Sequence, residues 1–387
     1  MVTAAQLRRG TYITNFVYAL QFGLLLFFSA TFLVELGFST ALIGVLFTAA
    51  YGASLALLIA APALLRVFGN YKLFPLAAAA LSCIAAALVF PLPAPVAAFL
   101  VMCTVTLNVL LLMLLDLFLE TLTGDETKTG VRRGLFITIL HAALVVAQLL
   151  AGAALALGGF SLLYAAAAFF SALVAILALV LLRGFREPEY ESVDWQVVRA
   201  RLVSSSDLRA SFYAQFLLRF FNAAMIVYTP IYLYEHIGIP LSEMGIIFAA
   251  TLIPFLLLEI PLGKLEDTKH DERFVLVIGF IVLAFSTALL SFVTTPAVVV
   301  WAALLFATRV GAAMVEMGNE VHFFRQVSGV DATEMDAFRM LVPLSHTVAP
   351  IVGALFLLLF PIQYIFLALA GILIIGIPVA LGVLSRA

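Results

Sequence analysis

The chain has 387 residues, 65% of them hydrophobic and only 11% charged, with a formal net charge of -2. A soluble domain averages roughly 25% charged residues and could not cover this much apolar surface, so a soluble enzyme or a nucleic-acid-binding domain is excluded as the main body of the protein. Where the few charges stand is more informative than their sum.

Apolar runs of about 20 residues recur along the whole length, each long enough to cross roughly 30 Å of hydrocarbon as a helix. Read between polar breaks, they predict an all-α polytopic membrane protein with spans at 11–36, 40–65, 72–91, 96–120, 132–157, 160–182, 210–235, 242–262, 274–293, 297–322, 335–358 and 361–383. After Arg8 and Arg9 the first apolar stretch runs to Leu36 with no small-residue cleavage pattern, so it is expected to stay as the first span. Cys83 and Cys103 fall inside such runs and read as buried, inert thiols.

Most connections are short. The exception gathers charge and divides the chain into a six-helix bundle at 1–183, a linker at 184–209 and a second six-helix bundle at 210–387. Within the linker, Val193, Trp195, Val198 and Leu202 share one helical face opposite Asp194, Arg199 and Arg201, the pattern of a helix lying on the membrane surface; a solvated linker is the competing reading. With the N-terminus inside, every one of the 20 lysines and arginines except Arg219 and Arg309 falls at a terminus or an inner connection. The positive-inside rule then places both termini in the cytoplasm, in a cytoplasmic (inner) membrane.

The halves repeat. Shifted by 201 positions, Gly37, Gly44, Phe47 and Ala49 meet Gly238, Gly245, Phe248 and Ala250, while Lys72 meets Arg273 and Pro95 meets Pro296. Parallel repeats of this size are a recurring way to build a transporter around a midplane site. After the eighth span stand Gly263, Asp267, Lys269 and Arg273, a glycine, three residues, an aspartate and then basic residues; the first half has Pro62 and Arg66 at the matching glycine and aspartate, and keeps Gly69 and Lys72. Spans, halves, linker and loop together resemble the major facilitator superfamily. The resemblance implies two pseudo-symmetric six-helix bundles, alternating access, and a central cavity lined by the first, fourth, seventh and tenth spans.

Polar residues within those spans are the candidate substrate contacts. Gln215, Arg219 and Asn222 are spaced i, i+4, i+7, so they form one stripe of the seventh span. Under the same shift Arg219 meets Tyr18, Asn222 meets Gln21, and Arg309 of the tenth span meets Asn108 of the fourth. An arginine at mid-depth costs on the order of 3 kcal/mol and persists mostly where it faces a bundle interior or a wet cavity. A guanidinium is a planar, permanently charged fork suited to carboxylate or phosphate, so Arg219 and Arg309 point to an anionic group on the substrate. Bonding to carbonyls or polar neighbours, with a purely structural role, is the alternative. No carboxylate falls at the same depth within these span limits.

His141 and His346 stand about ten residues into the fifth and eleventh spans and are the candidates for coupling transport to a proton, against a neutral packing role. Nearer the inner ends, Asp116 and Glu120 on the fourth span and Glu316 and Glu320 on the tenth are i, i+4 pairs, each followed by arginines, Arg133 and then Arg339. With Asp267 they read as a cytoplasmic gate of salt bridges. Pro230, Pro254, Pro343 and Pro350 are expected flexing points, and Tyr213, Phe216, Phe220 and Tyr228 aromatic wall candidates.

There is no G-x-x-x-x-G-K loop, and no His, Glu or Cys cluster has metal-ligand spacing. The expectation is a monomeric secondary transporter without metal or cofactor, whose partners are a small-molecule substrate, membrane lipid and a candidate proton, with no nucleic acid. An exporter of amphipathic compounds and a non-transporting sensor or scaffold of the same fold remain as alternatives.

Overall fold

The computed structural model describes residues 3–123, 129–190, 194–269, 272–324, 326 and 332–382, and their side chains except at 123, 129–131, 259–269, 272, 332, 333 and 336. The first span is built as two helices, α1 (Ala4–Leu26) and α2 (Phe28–Glu35), separated at Phe27. It begins at Ala4 rather than at residue 11 because Thr3 and Gln6 cap each other: Gln6 N–H donates to Thr3 Oγ1 at 3.3 Å and Thr3 N–H to Gln6 Oε1 at 2.8 Å. The second, third and fourth spans are α3 (Thr40–Phe68), α4 (Asn70–Ala87) and α5 (Ala94–Thr123). The fifth and sixth are the two arms of α6 (Thr129–Leu181), broken at Gly159, whose φ of 62° and ψ of -155° are open to glycine alone.

The linker holds α7 (Trp195–Ser204), capped by Asp194, whose carboxylate accepts from Gln196 N at 2.9 Å. The seventh span is α8 (Ser206–Ile231), running straight into a π-helical stretch, Tyr232–Ile237. Then come α9 (Leu241–Lys269), α10 (Glu272–Leu289), α11 (Val298–Phe324) and α12 (Ala332–Leu357); the last span is α13 (Ile365–Ile374) with α14 (Gly376–Ala380). Among the described residues, 11 helical runs are long and apolar enough to cross a membrane. One of them, Arg132–Leu181, has 50 residues and is long enough for two crossings about Gly159. The spans therefore number twelve.

Cα proximity divides the chain into two compact units. The first is Met1–Phe38, Ala49–Glu191 and Pro240–Ala249; the second is Ser39–Thr48, Ser192–Ile239 and Ala250–Ala387. The two displaced segments, at the starts of α3 and α9, correspond residue for residue under the shift of 201. The repeat also appears in the backbone: Gly37 and Gly238 end corresponding spans at φ 87° and 79°.

In the first unit α6 packs against α1 and α4, and α5 against α4 and α1. Backbones approach closely where glycine stands, since a Cβ on Gly10 would meet Leu181 Cβ at 2.9 Å and one on Gly23 would meet Ala147 Cβ at 2.5 Å. Phe74, Phe118 and Phe185 interlock edge to face in the core, with centroids 5.6 and 4.6 Å apart. The stretch after α6 returns Glu187 to the start of α4, where its carboxylate accepts from Asn70 N at 2.8 Å and Tyr71 N at 2.9 Å, the place where a helix offers unpaired N–H groups. Tyr190 donates its hydroxyl to the same carboxylate. Burial, reinforced by that bond and by the charge of Glu187, pushes the Tyr190 phenol up from its ordinary pKa.

The second unit packs α10 against α11 and α13, and α8 against α12 and α11. Gly311 lets Leu283 N come within 2.5 Å of where a Cβ would stand, and Gly376 does the same for the Phe280 ring at 2.4 Å. Trp301 is fully buried, its Nε1–H donating to Thr295 O at 2.8 Å and its indole meeting Tyr232 edge-on. Large apolar side chains such as Phe99, Leu157, Phe169 and Phe285 are exposed, a surface suited to lipid. Cys83 is on that exposed surface and Cys103 is half-buried, correcting the expectation of buried thiols: the faces of α4 and α5 that carry them point away from the core.

Candidate functional site

In the second unit α8 carries Gln215, Arg219 and Asn222, α11 carries Arg309 and Glu316, and α12 carries His346. Arg219 Nη2 donates to Glu316 Oε1 at 2.6 Å, with the two side chains 19% and 23% exposed. The expectation that no carboxylate at the depth of the arginines neutralises them is thereby corrected for Arg219. Glu316 is only two helical turns from Arg309 on the same face, and the long Arg219 side chain closes the remaining gap. Glu316, expected in an inner gate, is paired with Arg219 of the polar cluster.

Arg309 is 4% exposed. Its Nη1–H donates to the amide oxygen of Asn222, its guanidinium carbon lies 5.3 Å from the centroid of the Phe221 ring, and its Nε has no acceptor. A cation over a ring is held by roughly 0.5–2 kcal/mol, well short of neutralising a buried charge. Arg219 Nε and Gln215 Oε1 are likewise buried without a partner. His346 bonds through Nδ1 to Val342 O at 2.8 Å, one turn back along its own helix. Ser345 ties α12 to α8 by donating to Phe216 O at 3.3 Å, and the Tyr228 hydroxyl donates to Pro350 O. The aromatic wall candidates differ in exposure: Phe220 and Tyr228 are buried, whereas Tyr213 is exposed.

The corresponding positions of the first unit are neutral. The Tyr18 hydroxyl donates to Asn108 O at 2.8 Å, Asn108 Nδ2 donates to Thr104 O at 3.0 Å, and Asn108 Oδ1 is left without a partner. Gln21 is buried with neither amide atom bonded. Other buried amides were not among the sequence candidates: Asn15 donates to Phe136 O at 2.8 Å and Gln148 to Gly23 O at 2.7 Å, each tying α1 to α6, while Asn70 donates to Leu114 O at 2.9 Å and, in the second unit, Asn319 to Ser211 O at 3.1 Å. For Asn15 and Gln148 the signal was available, since each is an amide inside an apolar run. His141 is half-buried on α6.

Of the expected gate, Arg133 Nη2 and Asp116 Oδ2 are 3.6 Å apart, with side chains 41% and 27% exposed, a long pair of small energetic weight. Glu120 is exposed and Glu320 half-buried; the Arg339 guanidinium donates to Met335 Sδ at 3.5 Å. The side chain of Asp267 lies outside the described residues, as does that of Lys269. Among the described residues no group of three or more His, Cys, Asp or Glu is placed to hold a metal ion.

Comparison with curated proteins finds no match. Comparison with solved structures finds the fold in a mutant of the nucleoside transporter NupG, with a TM-score of 0.74 and 16% identity over 98% of this chain and 99% of that one. NupG itself gives 0.72 at 16% identity, over 98% and 99% of the two chains. A bacterial homologue of the human lysosomal transporter Spinster, solved inward-facing and unoccupied, gives 0.72 at 12% identity, over 99% and 94%. The profile of the Major Facilitator Superfamily matches residues 11–319 and 211–387. Helical architecture, repeat and profile agree: the chain belongs to the major facilitator superfamily, a secondary transporter family whose members are generally not enzymes.

Proposed function

We propose that this transporter carries a small organic anion by alternating access. The observation that supports it most is Arg309, a nearly fully buried guanidinium at mid-span with an amide and a ring for partners and an unbonded Nε–H. Arg219, Gln215 and Asn222 complete the binding group on α8, and Tyr18, Gln21 and Asn108 are the proposed neutral substrate contacts of the first unit. A proton is the proposed coupling ion, with His346 and His141 as its carriers. Asp116, Arg133, Glu120, Glu320, Arg339 and Asp267 form the proposed inner gate. The placement of lysine and arginine supports both termini in the cytoplasm, in a cytoplasmic membrane, with the two halves divided at the linker 184–209 and the chain working as a monomer.

A neutral polar solute is the second reading, favoured by the unpartnered amides of Gln21, Asn108 and Gln215. NupG, which shares the fold, is named a nucleoside transporter. Flux into proteoliposomes separates the readings. Uptake of carboxylates that is lost in Arg309→Gln supports the anion; uptake of nucleosides that survives Arg309→Gln supports the neutral solute; no flux of any solute points to a sensor or scaffold. Repeating the assay with and without an imposed pH gradient tests the proton.

A further inference from the structure

We infer that the anion site carries one net positive charge and is therefore selective for substrates bearing a single negative charge, such as monocarboxylates. This rests on the anion reading above. The polar cluster of the second unit contains two guanidiniums, Arg219 and Arg309, and one carboxylate, Glu316. Glu316 is held by Arg219 at 2.6 Å, so Arg219 meets a counter-charge within the protein. Arg309 does not, for its bonded partners are the neutral Asn222 and Phe221, while the field of Glu316 reaches it only from two turns away.

Among the described side chains, the other charged groups of these helices stand at other positions. Glu320 is 11 positions from Arg309 along α11, about 16 Å at 1.5 Å per residue, and Arg339, two turns into α12, donates to Met335 Sδ at 3.5 Å, one turn back on its own helix. Asp207 of α8 is paired with Arg273 of α10 at 3.1 Å. His346, bonded through Nδ1 to Val342 O, is counted in its resting form, before the proposed coupling proton is taken up. Two guanidiniums against one carboxylate leave one positive charge, and a single anionic group bound at Arg309 neutralises it. A second negative charge on the substrate would be buried with no cation to meet it, which costs far more than an exposed charge.

The cluster also identifies the residue that sets this limit. Removing the charge of Glu316 releases Arg219 and raises the local charge by one, so Glu316→Gln converts a site for monoanions into one for dianions. Glu316 is thus the specificity-determining residue, acting through Arg219.

The test uses the purified full chain and pairs of probes with shared skeletons: benzoate against phthalate and propionate against succinate, with benzamide as the uncharged control. Binding is measured by calorimetry at fixed ionic strength. The wild type is expected to bind the monoanion of at least one pair at least about tenfold more tightly than the dianion, a difference of about 1.4 kcal/mol. Glu316→Gln is expected to reverse that order, and Arg309→Gln to abolish monoanion binding while Arg309→Lys retains part of it. A wild type that prefers the dianion, or a preference unmoved in a folded Glu316→Gln protein, overturns the charge rule and leaves the anion reading standing. Failure of every anion to bind wild type, or binding of benzamide as tight as benzoate, overturns the anion reading itself and this inference with it.

Discussion

The guanidinium of Arg219 and the carboxylate of Glu316 meet at 2.6 Å across α8 and α11, both largely withdrawn from solvent. Removing one member of a largely buried pair is costly because the survivor keeps its charge without a partner, whereas removing both can be close to neutral. Glu316→Gln and Arg219→Gln are each expected to lower the thermal unfolding midpoint in detergent, and the double variant to recover much of the loss. A coupling of about 1–3 kcal/mol in the double-mutant cycle is expected; additive losses would mean that the two groups do not act as a pair.

Arg309 rests against Phe221. Phe221→Leu keeps an apolar filler but removes the ring face, so it is expected to cost about 0.5–2 kcal/mol in stability or anion affinity, about two- to thirtyfold in Kd. Asn222→Ala strips a hydrogen-bond acceptor from the Arg309 guanidinium and is expected to be the more damaging of the two. Anion affinity measured on both variants checks the order.

Two glycines at matching places in the repeat make different contacts. A Cβ on Gly245 would lie 2.5 Å from Gln148 O and 2.8 Å from Gly152 Cα, backbone atoms that cannot step aside; one on Gly44 would lie 2.3 Å from the Tyr228 hydroxyl. Gly245→Ala is therefore expected to lose about 1–3 kcal/mol of stability or to force a different conformation, with no single compensating change. Gly44→Ala is expected to be partly rescued by Tyr228→Phe, which removes the nearest atom, although Pro350 O at 2.8 Å remains. Unfolding midpoints of the single and double variants decide it.

Glu187 closes the start of α4 and holds the Tyr190 hydroxyl. Glu187→Ala is expected to destabilise by about 1 kcal/mol through the lost cap. The phenol of Tyr190 is raised in the folded protein, so the folded state holds its proton more tightly than the unfolded chain does. That contribution is complete below the ordinary tyrosine pKa near 10 and fades as pH rises above it. Ultraviolet titration of the tyrosines should show one phenol moving back toward the ordinary range in Glu187→Gln.

Much of the fold was written in hydropathy. The spans, the break between halves and the glycines of the repeat depend on local runs and on backbone conformations that only glycine holds cheaply, as at Gly37 and Gly238. The interruptions at Phe27 and Ile375 and the π-helical turn at Tyr232–Ile237 carry no such marker, because they arise from packing and leave the apolar run intact. Arg219 and Arg309 stood out because charge is rare in apolar sequence. The partner of Arg219 did not, since counting residues along one helix cannot show how far an arginine on the neighbouring helix reaches. Asn15 and Gln148 were overlooked for another reason. Both bind main-chain carbonyls between α1 and α6, and which carbonyl a buried amide meets is set by helix packing that residue order does not display.

Trp301 and Trp195 are the chain's two tryptophans, one fully buried in the second unit against Tyr232, the other largely exposed on α7. Their emission spectra should therefore be resolvable, blue-shifted and protected from aqueous quenchers for Trp301, red-shifted and readily quenched for Trp195. A Trp195→Phe protein then leaves Trp301 as its single tryptophan, so with excitation selective for indole, rearrangements within that helical bundle can be followed optically without attaching a dye.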